Sequence, residues 1–314
     1  MKQGIISLGE ALIDFIPTDA SNLTYHKSPG GAPANVAVGL ARLGAKSTFL
    51  GKVGDDVLGN FLQETLESYG VETGHMQFSP DVRTGVVFVT NAAGGERSFE
   101  FYIDPSADRF LGAGEINEAD LISHKILHFG SISMISDPAK EATEIAVKLA
   151  KKNDMIVSYD PNLRLSLWES EQHACETIIS MFSKTDILKL SDEELEFVTG
   201  EKTTHGGVEQ LQRYDIPLII VTLGADGCYV FTSEGQQQVP AMEVKAMDTT
   251  GAGDAFVSGI LYSVHQYAGN VRELTLSDAV GMAKFAAVSG GLAASTKGAM
   301  TALPTLQEVT EYLR

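Results

Sequence analysis

Cysteine is scarce in this chain: Cys175 and Cys228 are too far apart for a CxxC pair or a zinc knuckle and too few for a disulfide framework. That usage fits a reducing compartment. Positive charge is also short, with 23 Lys and Arg against 41 Asp and Glu and a formal net charge of −18, so the chain repels a phosphate backbone and an anionic membrane. Nucleic acid is not an expected partner. A small anionic ligand remains compatible, because glycine-rich backbone and a metal ion create a local positive field inside a negative envelope. Long apolar runs are missing as well: the densest, residues 217–223, is far short of the roughly 20 residues that span a bilayer. Glu10 and Asp14 interrupt the apolar N-terminal stretch, which no small-residue cleavage site follows. A cytoplasmic protein without membrane contact is expected. The Walker A phosphate loop, GxSxG, HExxH and histidine spacings suited to a metal are all absent, and the 31 glycines have no three-residue period. No internal repeat, low-complexity tract or linker divides the 314 residues, so one unit over 1–314 is expected.

What is present is a recurrence of short apolar runs, at residues 5–8, 126–129, 155–159, 187–190 and 218–223, mostly separated by segments with helical periodicity. Such runs suit strands buried on both faces. Val36, Leu40 and Leu43 share one helical face; Leu58, Phe61, Leu62, Thr65 and Leu66 share another. Asp137-Pro138 predicts an N-cap and a first-turn proline ahead of Ala142. Alternating β and α segments predict a parallel sheet covered by helices, an α/β fold. Two stretches break the pattern, about 15–29 and 83–110. In the second, Val86, Phe88, Phe99 and Phe101 alternate around the turn signal Ala92-Ala93-Gly94-Gly95, which predicts a hairpin. Either a lid or a surface hairpin without function would account for it.

The most informative segment is Asp248-Thr249-Thr250-Gly251-Ala252-Gly253-Asp254, followed by an apolar helical pattern from Ala255 to Leu261. It is a glycine loop opening a helix, where free N–H groups make an anion site. Asp254, in the positive end of the helix field, is expected to be ionised at neutral pH and to act as a base on a hydroxyl nucleophile. An N-cap aspartate with packing glycines is the equal alternative. The dinucleotide fingerprint fails, because Phe256 stands at its third glycine and no βαβ half follows. Gly30-Gly31-Ala32-Pro33-Ala34-Asn35 precedes another helix; Asn35 is a candidate ligand for a polyol, or a helix cap. Asp14 is expected to end the first strand, and Asp160-Pro161-Asn162-Leu163-Arg164 follows a later one, where open α/β sheets place ligand groups. Ser191-Asp192-Glu193-Glu194 reads as a capping box, which leaves a magnesium role for Glu194 as the minor alternative. Thr222-Leu223-Gly224-Ala225-Asp226-Gly227 is either a hairpin turn or a nucleotide border.

Together these motifs resemble the ribokinase-like (PfkB) carbohydrate kinases, from Ile5 to about Pro304. The glycine motif at 30–37 and the one at 248–254 are the specific ones. Within the family the chain is most similar to fructokinases, through Asp160-Pro161-Asn162-Leu163-Arg164 ahead of Trp168, Phe101-Tyr102 to Asp108, and Lys189 to Glu194. It departs from the common pattern in having Ser191 and Ala287 at usual Asn positions, and Ile103-Asp104 where many fructokinases carry a basic residue and Asn. The resemblance implies a three-layer α/β/α core with a β lid, and phosphoryl transfer from ATP to a sugar with Mg²⁺, and with K⁺ as a candidate cation. It implies Asp254 as base and Gly251, Ala252 and Gly253 as anion hole. Asp14, Gly30, Gly31, Asn35, Arg97, Phe101, Asp160 and Arg164 would face the sugar. Lys189, Thr222, Gly224, Gly227, Thr250, Gly251 and Gly253 would border the nucleotide, and Glu194 would reach Mg²⁺ through water. A homodimer is a candidate assembly. Kinases for 2-keto-3-deoxygluconate, ribose or aminoimidazole riboside, and a sugar-binding regulator without turnover, are the alternatives.

Overall fold

The computed structural model describes residues 2–91 and 97–313, without the side chains of Asn91 and Arg97. In chain order the elements begin with β1 (Ile5–Leu8), β2 (Leu12–Pro17), β3 (Tyr25–Gly30), α1 (Ala32–Arg42), β4 (Ser47–Gly54), α2 (Val57–Ser68), β5 (Glu72–Ser79), β6 (Gly85–Asn91) and β7 (Arg97–Phe101). There follow α3 (Glu118–Leu121), β8 (Ile126–Phe129), α4 (Ala139–Lys152), β9 (Ile156–Tyr159), α5 (Glu171–Ser180), β10 (Ile187–Ser191), α6 (Asp192–Thr199) and α7 (Thr204–Leu211). The chain closes with β11 (Leu218–Thr222), β12 (Cys228–Thr232), β13 (Gly235–Val239), α8 (Ala252–Gln266), α9 (Leu276–Ala294) and α10 (Leu306–Tyr312).

Nine strands form one sheet in the order β13-β12-β11-β10-β9-β8-β1-β4-β5, parallel except for β12, which pairs antiparallel with β11 and β13 near one edge. The continuous apolar runs are explained by burial on both faces. Ile5, Ile126, Ile187 and Ile220 point into a core with Val36 and Leu40 of α1 and Val257 and Ile260 of α8. Their neighbours Ile6, Leu127, Leu188 and Ile219 point to the other face, against α4 to α7. This is the expected three-layer α/β/α arrangement.

The interrupting stretches meet in a second sheet of order β3-β2-β6-β7. β6 and β7 pair antiparallel as the expected hairpin, whose turn at 92–96 lies outside the described residues. Two expectations need correction. Asp14 does not end the first strand: the chain turns at Gly9, leaves the main sheet, and carries Asp14 in the middle of β2 in the second sheet. Helix α4 starts one residue later than expected, with Pro138 at the cap position and no side chain capping it.

The packing of α8 is set by small residues. A Cβ on Gly39 of α1 would come within 2.8 Å of Ser258 Cβ, and one on Gly259 would come within 2.8 Å of Ala286 Cα on α9. Helices α1, α8 and α9 therefore approach closely, and the N-terminal ends of α1 and α8 converge at the carboxyl ends of the parallel strands. Among the described residues, no helix is long and apolar enough to cross a membrane.

Candidate active site

On the face covered by α1 and α8, the main sheet turns from apolar to polar toward its carboxyl ends. Ser7, His128 and Ser158 lie side by side on β1, β8 and β9, and Lys189 lies on β10. Burial pushes His128 down to about 3, so the ring is neutral, with its Nδ1 3.1 Å from Ser158 Oγ. Lys189 is paired with Asp160, its Nζ donating to both carboxylate oxygens at 3.2 Å. Burial opposes the ammonium, but Asp160, Glu194 and Asp254 outweigh it and hold Lys189 above the usual lysine value.

Asp254 stands over this polar floor as the third residue of α8. The cap position belongs to Gly251, with φ +78, and no side chain caps the helix, so Asp254 is not an N-cap. Asn35 does not cap α1 either; its Nδ2 donates to Asp254 Oδ2 at 2.8 Å, joining residues 219 apart in sequence. The helix field does not lower Asp254, although the group stays mainly ionised at neutral pH, as expected. Burial raises Asp254 to about 6; Asn35, Lys189 and Arg164 pull it down, and Asp160 pushes it up. Burial likewise lifts Asp14 to about 7, against the pull of Arg164 and with a push from Asp254.

Two cavities meet at the start of α8. One, of about 490 Å³, is lined by Asp14, Gly31, Asn35, Phe101, Asp160, Arg164, Lys189, Thr250, Gly251 and Asp254. Gly30 stands just behind it: a Cβ there would collide with Asp14 Oδ2. The other, of about 520 Å³, is bordered by Thr222, Gly224, Gly227 and Ala252, with apolar walls from Met242, Val244, Phe256 and Ala287. Thr249 and Gly253 line both. Lys189 is thus on the Asp254 side, away from Thr222, Gly224 and Gly227. The Asp226-Gly227 turn joins antiparallel β11 and β12 and borders the second cavity, so both roles considered for it are compatible. The Arg97 side chain lies outside the described residues. A third cavity, around His205, Asp215 and Arg272, shares no lining residue with these two.

Glu194 forms the expected capping box: Oε2 accepts from Ser191 N–H at 2.8 Å, and Oε1 accepts from Leu163 N–H at 2.7 Å. Among the described residues, no group of three or more His, Cys, Asp or Glu is arranged to hold a metal. Sequence reasoning missed Glu10, Val87, Phe99 and Thr249 in the first cavity and Met242, Val244, Gly290 and Gly291 in the second. Glu10 carried a signal, as an acid inside an apolar N-terminal run, and Thr249 lies within the glycine loop at 248–254.

A central parallel sheet, a cleft at its carboxyl ends, and a carboxylate between two cavities at a helix N-terminus define a ligand-binding α/β fold. The model of the pfkB family carbohydrate kinases matches residues 2–306, and the chain belongs to that family. It is 44% identical over 318 residues to a protein of Arabidopsis thaliana named probable fructokinase-6, chloroplastic, covering 98% of this chain and 82% of that one. Fructokinase from Vibrio cholerae O395, solved with fructose, ADP and calcium, superposes with a TM-score of 0.91 at 39% identity, covering 100% of this chain and 99% of that one. A double mutant of that enzyme was solved with fructose, ADP and potassium. Aminoimidazole riboside kinase from Salmonella enterica, bound to aminoimidazole riboside and an ATP analogue, gives 0.86 at 29% identity and 99% coverage of both chains.

Proposed function

We propose that this protein is an ATP-dependent fructokinase, moving the γ-phosphoryl group of ATP to the primary hydroxyl of D-fructose to give fructose 6-phosphate. The observation that carries it is Asp254, oriented by Asn35 where the two cavities meet. Fructose occupies the cavity of Asp14, Asn35 and Arg164; ATP occupies the one bordered by Thr222, Gly224 and Gly227. Asp254 takes the proton of the attacking hydroxyl, the sugar oxygen bonds to the γ-phosphorus, and the bond to the bridging oxygen of ADP breaks. In the first turn of α8 the Ala252 N–H donates to the Thr249 carbonyl at 3.2 Å, while those of Gly253 and Asp254 have no intrahelical acceptor. Around Gly251 and Gly253 they face the charge that builds on the phosphoryl oxygens. Lys189, held charged, adds to the same field.

Magnesium supplies charge neutralisation when it arrives on the ATP phosphates. With both oxygens of Glu194 already bonded to backbone N–H groups, that residue reaches the ion only through water. Potassium dependence and a homodimer belong to the same proposal, tested by salt substitution in the assay and by light scattering. The second sheet acts as a lid: Val87, Phe99 and Phe101 line the cavity from above, and closure keeps water from competing for the phosphoryl group. ADP release measured across a sugar panel is the deciding experiment. D-fructose should give the highest kcat/KM; higher values for ribose, 2-keto-3-deoxygluconate or aminoimidazole riboside would reassign the substrate within the family.

A further inference from the structure

The cavity that contains Asp254 holds two buried oxygens without a protein partner, Glu10 Oε2 and Asn35 Oδ1. Both side chains are nearly enclosed, at 4% and 5% exposure, and the other polar atom of each is committed. Glu10 Oε1 accepts from the Ala32 N–H at 3.0 Å, and Asn35 Nδ2 donates to Asp254. The Gly30–Ala32 turn is packed on Glu10 itself: at Gly31, with φ +102, a Cβ would lie 2.5 Å from the Glu10 carbonyl oxygen. Glu10 is therefore fixed relative to α1, with one oxygen anchoring the turn and the other without a protein partner, on a side chain that lines the cavity with Asp14, Arg164 and Asp254.

We propose that Glu10 binds the acceptor sugar through Oε2, next to the hydroxyl that Asn35 Oδ1 engages. The inference rests on the sugar-kinase function above and adds a contact to it. Buried polar groups are rarely left unpaired, and a polyol brings both donors and acceptors. Burial raises the Glu10 carboxyl to about 8, with Asp108 and Asp254 pushing the same way and the Ala32 N–H pulling it down. At neutral pH the group is the uncharged acid. Since Oε1 accepts the N–H, the proton sits on Oε2, which donates to a sugar oxygen while Asn35 Oδ1 accepts from a sugar hydroxyl. The charged groups around it are Asp108 and Arg109 after β7, Asp14 on β2, Asp160 and Arg164 after β9, Lys189 on β10 and Asp254 on α8. Asp14 at about 7 and Asp254 at about 6 titrate below Glu10.

The test follows initial rates of ADP release against fructose, at saturating ATP, from about pH 6.5 to about pH 9.5, which brackets the Glu10 shift. In the parent, the fructose KM should rise above pH 8 by about tenfold per pH unit while the ATP KM stays flat. Glu10→Gln keeps a donor in place and cannot ionise, so that alkaline rise should vanish. Glu10→Ala should raise the fructose KM at neutral pH by about tenfold or more, with kcat at saturating sugar within a few-fold. An alkaline rise that persists in Glu10→Gln, its absence from the parent, or a parental fructose KM in Glu10→Ala overturns the proposal. Should Glu10→Ala fail to melt cooperatively, the Gln profile decides alone. If the parent prefers another sugar, the fructose assignment fails in the parent, and the Glu10 series is read on that sugar.

Discussion

At the residue scale, the arrangement makes Asp254 matter for chemistry more than for folding, because it caps nothing and its carboxylate faces the cleft. Asp254→Asn preserves size and still offers an oxygen to Asn35. It cannot take a proton, so kcat should fall by on the order of 10³, about 4 kcal/mol in barrier, with both KM values within a few-fold. Near-parental kcat in a folded variant would remove Asp254 from the reaction. With Asp254 as the proposed base, the protonated acid would be inactive, so kcat should fall as pH drops through about 6. Asn35→Ala removes the hydrogen bond that stabilises the carboxylate, and the acid limb of the kcat profile should then move to higher pH. Asp254 was legible in the sequence because glycine, small residue, glycine and acid open an apolar helix. Its hydrogen bond to Asn35 was not legible, because only the three-dimensional crossing of α1 and α8 brings two such distant residues together.

At the scale of elements, the start of α8 separates two requirements that glycine satisfies. Gly251 is left-handed, and a Cβ there would lie 3.3 Å from Ala299 Cα. Gly251→Ala should lower stability by about 1–2 kcal/mol, seen as a reduced melting temperature. Gly253 has no atom within 4 Å of where a Cβ would stand, and it opens on both cavities. Gly253→Ala gains helix propensity, up to about 1 kcal/mol, so its melting temperature should not drop. In the proposed site its methyl group would project where the phosphates approach, and kcat/KM should fall by about tenfold or more, on the scale of one lost oxyanion-type contact. Loss of stability without loss of activity would reverse that assignment. The strands of the main sheet were legible where both faces are apolar, as in β1, β8, β10 and β11. Strand β4 was not, because Gly51, Lys52 and Gly54 break its run. Asp14 was misplaced for a related reason: the alternation around it belongs to a second sheet, and nothing local marks the turn at Gly9 as a change of sheet.

At the scale of the whole molecule, the two interrupting stretches could be recognised as foreign to the parallel core, but their union into one sheet depends on β2 pairing with β6 across 73 residues, Leu12 with Gly85. If that sheet closes over bound sugar, amide exchange in β2, β3, β6 and β7 should slow on adding fructose while the main sheet changes little. The buried acids beneath it predict how stability depends on pH. Glu10 goes from 4.5 to about 8 and Asp14 from 3.8 to about 7, so the folded protein holds protons that the unfolded chain has released. A carboxyl raised in this way contributes stability below its unfolded value and loses it as pH climbs through the folded value. Below about 6.5 the buried His128, held neutral, opposes the trend, which confines the clean window to pH 6.5 to 8. There each extra proton held by the folded state tilts stability by about 1.36 kcal/mol per pH unit. The melting temperature of the ligand-free protein should fall across that window, and Glu10→Gln, which has no proton to lose, should flatten the fall. A melting temperature that climbs from pH 6.5 to 8 would mean that these acids are ionised in the fold.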